Sequence, residues 1–125
     1  TINTVCDQFF QQLEYTGLWK YENAWASIYP RGAYVDRHNH GTAHWSGVYY
    51  VEVPDEDAMI CFDDPKEYSL NHEPQGFKFR GRMQCSFHPK PGKLLLWPGY
   101  VNHSSLPNNS DFDRIIISFN INCIL

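Results

Sequence analysis

An all-β domain, in which a closed or sandwiched antiparallel sheet such as a jelly roll follows one N-terminal helix, is the fold class this sequence predicts. Aromatic residues fill 16% of the 125 positions, and Gly and Pro each occur 8 times, a composition that suits short strands and tight turns better than long helices. About eight stretches of β-forming residues recur at short spacing between Pro- and Gly-containing turns. A chain of this length fits one domain, residues 1–125, with a core large enough to need no metal or disulfide staple.

The elements follow in order. In "INTVCDQFFQQLEYTG" the apolar residues Val5, Phe9, Phe10 and Leu13 form a helical stripe, which predicts an amphipathic helix over 4–16 with Gly17 placed to end it. Strands are then expected at 24–29, 32–40 and 45–53, broken by Pro30, Gly32, Gly41 and Pro54. "AMICF" (58–62), after the charged turn "PDED", reads as the second strand of a hairpin with 45–53. Residues 63–82 are polar and punctuated by Pro65, Pro74, Gly76 and Gly81, which suggests a long loop that covers a site. Strands at 84–88, 93–97, 101–105 and 114–122 complete the list.

Composition also excludes function classes. The formal charge of −4 and the lack of any Lys/Arg run give no field for a nucleic-acid backbone. No apolar stretch approaches the roughly 20 residues that span a bilayer, and no basic-then-apolar leader opens the chain, so an intracellular, cytoplasmic protein is expected. Cys6, Cys61, Cys85 and Cys123 are widely spaced without a C-x-x-C pair and read as plain thiols of a reducing compartment.

Chemistry gathers at three places. If 34–40 is extended, His38 and His40 project to one face while Asn39 goes to the other. His103, on a late strand after a Pro-Gly turn, is the natural third ligand; three imidazoles bind iron, zinc, copper or nickel, though loop histidines without a metal are the simpler alternative. On the last strand the period of two puts Arg114, Ile116, Ser118 and Asn120 on one face and Ile115, Ile117, Phe119 and Ile121 on the other. The second face is core. The first carries a guanidinium and a hydroxyl able to hold a carboxylate, and an antiparallel partnership with the His103 strand would bring that pocket beside the metal. In "SGVYY" only one of Tyr49 and Tyr50 can face a given pocket, and alternation leaves open which. Trp45, Trp97 and Tyr100 either line the mouth or pack as core.

The ordered set "HNH…SGVYYVEVP…CFDDP…PGKLLLWPGYVNHSSLP…RIIISFN", over residues 23–121, resembles the iron(II)- and 2-oxoglutarate-dependent oxygenases, in detail an oxygenase group of phages and marine bacteria related to the prolyl-hydroxylase type. The resemblance implies a double-stranded β-helix with iron(II) held by a His-x-carboxylate pair and a distal His. It implies His38 as first ligand, His103 as the distal one and Arg114 as the residue that binds the far carboxylate of 2-oxoglutarate. Ser118 and Tyr50 are implied as helpers. His40 stands where most of the superfamily has Asp or Glu, so the implied set is His38, His40 and His103, with no negative charge to offset the cation. Asp36 would be an oxygen ligand if the register were shifted, and His44, His72 and His88 read as surface residues. The implied reaction is hydroxylation of an unidentified small molecule or peptide, coupled to decarboxylation of 2-oxoglutarate to succinate. Two other readings stand beside it: a cupin-like three-histidine metalloenzyme that uses no 2-oxoglutarate, and a non-catalytic jelly-roll module. The sequence leaves a homodimer open.

Overall fold

In the computed structural model, residues 1–65 and 84–125 are described. The expected covering loop therefore lies outside the described residues from position 66 on, as does His72.

The helix α1 spans Ile2–Gln12, two residues earlier at its start and four earlier at its end than the sequence predicts. Thr1 caps its start, its side chain accepting from the Thr4 amide at 3.2 Å. Its end is made by Glu14, which takes a left-handed conformation (φ 55°), with Tyr15 N–H donating to Phe10 C=O and Glu14 N–H to Gln11 C=O. That is the Schellman pattern with Glu where Gly is usual, which is why Gly17 is not the stop. Gly17 serves a close approach instead: a Cβ there would stand 2.2 Å from the Tyr15 hydroxyl and 2.5 Å from the Ile124 carbonyl oxygen.

Eight strands follow: β1 (Leu18–Tyr29), β2 (Val35–His38), β3 (Trp45–Glu52), β4 (Ile60–Asp63), β5 (Gln84–Phe87), β6 (Leu94–Pro98), β7 (His103–Ser105) and β8 (Arg114–Ile124). They form two antiparallel four-stranded sheets, β1-β8-β3-β6 and β2-β7-β4-β5, the jelly-roll arrangement. β1 begins six residues earlier than expected, because "LWKYEN" pairs with the end of β8 from Leu18↔Ile124 onward. A bulge at Tyr21/Asn23 shifts its alternation and hides the strand from a period-two reading.

Two pairings differ from expectation. β3 and β4 are not a hairpin: β3 is flanked on both edges by β6 and β8, so the charged connection carries the chain across to the other sheet. β7 and β8 are not partners either; they belong to different sheets, and residues on them meet across the interior.

β8 buries both faces. Phe119 and Ile121 pack beneath α1 with Cys6 and Phe10. Ile116, from the alternate face, joins Val48, Tyr50, Ile60 and Trp97 between the sheets. Gly47 on β3 is required by this packing, since a Cβ there would stand 2.3 Å from the Phe119 ring. All four cysteines are free thiols.

Candidate metal centre

β2 and β7 pair so that His38 lies directly opposite His103, and side chains of opposed residues share one face of an antiparallel ladder. β2 ends at His38, so the expected strand through residue 40 is shorter than predicted, and His40 sits in the loop beyond. Main-chain bonds fix that loop. His40 N–H donates to Gly99 C=O at 2.8 Å, Ala43 N–H to His40 C=O at 2.8 Å, and Gly99 N–H to His44 C=O at 3.0 Å. A Cβ on Gly99 would stand 2.1 Å from the Ala43 carbonyl oxygen, so only glycine admits this contact between the His40 loop and the turn leading to His103.

The outcome is a cluster of three imidazoles whose ligand atoms lie within 4.8 Å of one another. Ring centroids are 4.2 Å apart for His38–His103, 5.0 Å for His38–His40 and 5.3 Å for His40–His103. His38 Nδ1 lies 2.8 Å from the Asp36 carbonyl oxygen and His103 Nδ1 3.0 Å from that of Val101. A carbonyl only accepts, so both Nδ1 atoms carry the proton and both Nε2 lone pairs remain for a cation, the orientation that a carbonyl bonded to the far ring nitrogen imposes on a metal-binding histidine. Burial, with smaller contributions from His38 and His40, drives the His103 pKa down to about 4. His40 is lowered by burial and then by His38. Both are thus neutral, ligand-competent imidazoles at neutral pH. Asp36 is exposed and stands outside the cluster, which contains no carboxylate among the described residues. Its neighbour Arg37 pairs with the buried Asp63, which also accepts from Gln84 Nε2 at 2.8 Å, tying β2 to the far side of its sheet.

Two of the three imidazoles, His40 and His103, line a cavity between the sheets, whose wall also includes Tyr50, Arg114, Ser118 and Trp97. Arg114 is 3% exposed. Its Nη1 donates to Ala58 C=O at 3.0 Å and its Nη2 to Ser105 Oγ at 3.3 Å, while its guanidinium carbon lies 4.5 Å from the centre of the Tyr29 ring. Its Nε has no partner, and among the described residues no carboxylate pairs with it. Burial lowers its pKa. Burial outweighs the smaller stabilising influence of Tyr50, Tyr29 and Asp55 on the guanidinium, and an anion in the cavity would relieve that cost.

Of the tyrosine pair, Tyr50 is the one in the cavity: it is 4% exposed, with its pKa pushed up to about 12, chiefly by burial. Its hydroxyl keeps its proton and remains a donor. Ser118 lines the same wall, opposite Trp25 on β1 and Val48 on β3.

The three aromatic residues separate. Trp97 lines the cavity, Trp45 packs against Phe9 and Phe10 beneath the helix, and Tyr100 is 63% exposed. Ser105 and Tyr29 were missed from sequence. "HSS" carried the signal for Ser105, which shares a strand face with His103; nothing local marked Tyr29, whose contact with Arg114 is made between adjacent strands. Ser46 and Asn120 were not singled out as a pair, yet the Ser46 hydroxyl donates to Asn120 Oδ1 at 2.8 Å in the cavity wall. His44, expected as a plain surface residue, is exposed but accepts from Cys123 N–H at 2.8 Å, and His88 Nδ1 bonds the Glu56 carbonyl.

The family described as "Putative 2OG-Fe(II) oxygenase" matches residues 23–120. No curated protein matches the chain significantly. Among solved structures, an oxidoreductase of the 2OG-Fe(II) oxygenase family from Burkholderia pseudomallei is similar with a TM-score of 0.67 and 10% identity, over 90% of this chain and 49% of that one. A Pseudomonas putida prolyl-4-hydroxylase gives 0.65 and 18% identity, over 95% and 60%. HygX from Streptomyces hygroscopicus, with nickel and 2-oxoglutarate bound, gives 0.63 and 11%, over 92% and 63%. At such identities the likeness is one of fold, and this chain spans less than two thirds of the length of each of these structures. No helix among the described residues is long and apolar enough to cross a membrane.

Proposed function

The chain belongs to the 2OG-Fe(II) oxygenase family, and on that premise we propose that it is a 2-oxoglutarate-dependent dioxygenase that hydroxylates a small molecule or peptide. His38, His40 and His103 would hold iron(II), and Arg114, with Tyr50 and Ser118, the far carboxylate of 2-oxoglutarate. The observation that carries this reading is Arg114: a buried cation in no salt bridge among the described residues, on the wall of the cavity that His40 and His103 also line. A dicarboxylate offers one carboxylate to the cation and one to the guanidinium.

When bound, iron(II) and 2-oxoglutarate supply oxidative decarboxylation, which couples oxygen to hydroxylation and releases succinate and carbon dioxide. The chain's own part is positioning and exclusion. Arg114 orients the far carboxylate and offsets its charge. Tyr50, held protonated, donates to the same group, and Ser118 offers a hydroxyl. Val48, Ile60 and Ile116 form an apolar wall that keeps water from the bound cosubstrate.

A second reading is favoured by one specific residue, His40. Three neutral ligands leave the charge of a divalent cation uncompensated, which suits direct chelation of an anionic substrate, as in a cupin-like metalloenzyme that needs no 2-oxoglutarate.

Succinate release on addition of iron(II), ascorbate and 2-oxoglutarate in air separates the two. The oxygenase reading expects succinate above an iron-free control, whereas substrate turnover without 2-oxoglutarate supports the second. Replacing Arg114→Ala should weaken 2-oxoglutarate binding by roughly a hundredfold and leave metal content per folded molecule unchanged. Loss of both together would make Arg114 a structural residue.

A further inference from the structure

The cavity wall holds a second buried donor without a partner, the indole N–H of Trp97. Trp97 lies on β6 opposite Ser46 and is 7% exposed. Its ring stands edge-on to His103, with centroids 4.9 Å apart, and against Phe62 at 5.0 Å. The same residue packs with Tyr50 and Ile116 in the inter-sheet cluster, so the indole bridges the level of the histidines and the level of the tyrosine. Packing alone does not explain a tryptophan here. A phenylalanine would supply a ring for both edge-on contacts without burying a donor that no group among the described residues satisfies.

The other three indoles differ. Trp19 Nε1 donates to Asp7 Oδ1 at 2.9 Å, and neither Trp25 nor Trp45 is among the buried residues left with an unpaired polar atom. The unpaired buried side-chain atoms of the described residues are Trp97 Nε1 and Arg114 Nε, both donors and both from residues of one cavity wall. Two orphaned donors on one wall call for one ligand rich in acceptor oxygens.

We infer that Trp97 is a binding residue for the cosubstrate, its indole N–H donating a hydrogen bond to an oxygen of 2-oxoglutarate held between the histidine cluster and Arg114. This rests on the oxygenase reading and adds to it a contact made by a side chain outside the implied ligand and carboxylate sets. It gives the ligand an anchor on β6, at the edge of the sheet β1-β8-β3-β6 and beside His103 of the other sheet, complementary to the pull of Arg114. The donor is neutral and rigidly mounted, so it fixes orientation without adding charge to a centre that already lacks a carboxylate.

The test compares wild type with Trp97→Phe, both loaded with zinc so that binding is read without turnover. The expected result is a Kd for 2-oxoglutarate about tenfold weaker in the variant by calorimetry, equivalent to about 1.4 kcal/mol. The metal-free variant should melt at the same temperature as wild type or higher, since an unsatisfied buried donor has been removed. A merely structural tryptophan would give the opposite pair, a lower melting temperature and unchanged affinity of the folded fraction. In wild-type protein, the Trp97 indole proton resonance should move downfield when 2-oxoglutarate is added; this arm stands even if the variant folds poorly. Wild type that binds 2-oxoglutarate with no change in that resonance, or a variant that binds equally well, overturns the role of Trp97 and leaves the oxygenase reading intact. Wild type that binds no 2-oxoglutarate overturns both.

Discussion

Beneath the helix and between the sheets, β8 supports two buried clusters that follow opposite rules. On the helix side Cys6, Phe10, Phe119 and Ile121 are surrounded by rings in edge-to-face contact, such as Phe9–Trp45 at 4.8 Å and Trp19–Tyr21 at 5.2 Å. The polar groups at its margin find protein partners: Trp19 Nε1 with Asp7, the Tyr21 hydroxyl with Asn3, and the Tyr15 hydroxyl with the Ile124 carbonyl. Between the sheets, by contrast, a guanidinium and an indole are left with unpaired donors. The helix side is closed on itself, and its burial of apolar surface stabilises the chain. The inter-sheet side gives up part of that stability to hold polar groups that, in the proposed function, a ligand would satisfy.

The largest way to break this contrast is His103→Ala. Metal content after loading and desalting should fall below detection by elemental analysis, with far-ultraviolet circular dichroism unchanged. Retention of stoichiometric metal would mean that the cation sits elsewhere. Next comes Phe10→Ala, which should cost about 3–5 kcal/mol in urea unfolding while metal content per folded molecule stays at the wild-type level. A loss of metal there would show that the two clusters are not independent.

The smallest effect is set by pH. The folded-state pKa of His103 is about 4 against an ordinary 6.5, and that of His40 is also lowered. Between those values the unfolded chain binds protons that the folded chain refuses, so the metal-free protein should lose stability as pH falls from about 6.5 towards 4. A melting temperature that stays flat over this window would show that the rings take up protons freely in the folded state. Phe10→Ala should show the same slope as wild type, because the histidines lie on the other side of the sheet.

Local patterns foretold much of this architecture. Alternation on the last strand separated Arg114, Ile116, Ser118 and Asn120 from Phe119 and Ile121, and the two sets lie on opposite faces of β8. On β3 the same period of two brings Ser46, Val48 and Tyr50 to one wall. Choosing Tyr50 over Tyr49 needed the identity of the sheet that faces that wall, which is a tertiary fact. The mistaken hairpin has the same origin. "VEVPDEDAMICF" looks like two strands and a turn, but the edges of β3 are taken by β6 and β8, strands that lie far along the chain. Periodicity reports which face a residue takes and is silent on which strand lies beside it. The start of β1 was lost to a bulge, and Tyr29 to a contact made only when β1 and β8 pair.

His40 is not part of a ladder. Its backbone is pinned by Gly99 and Ala43 through main-chain atoms alone, so the side chain at that position contributes nothing to the register of either sheet. An exchange of imidazole for carboxylate there would change the electric field at the centre while every rung of the scaffold stayed in place. What the protein can bind and whether it can fold are, at this one residue, separable questions.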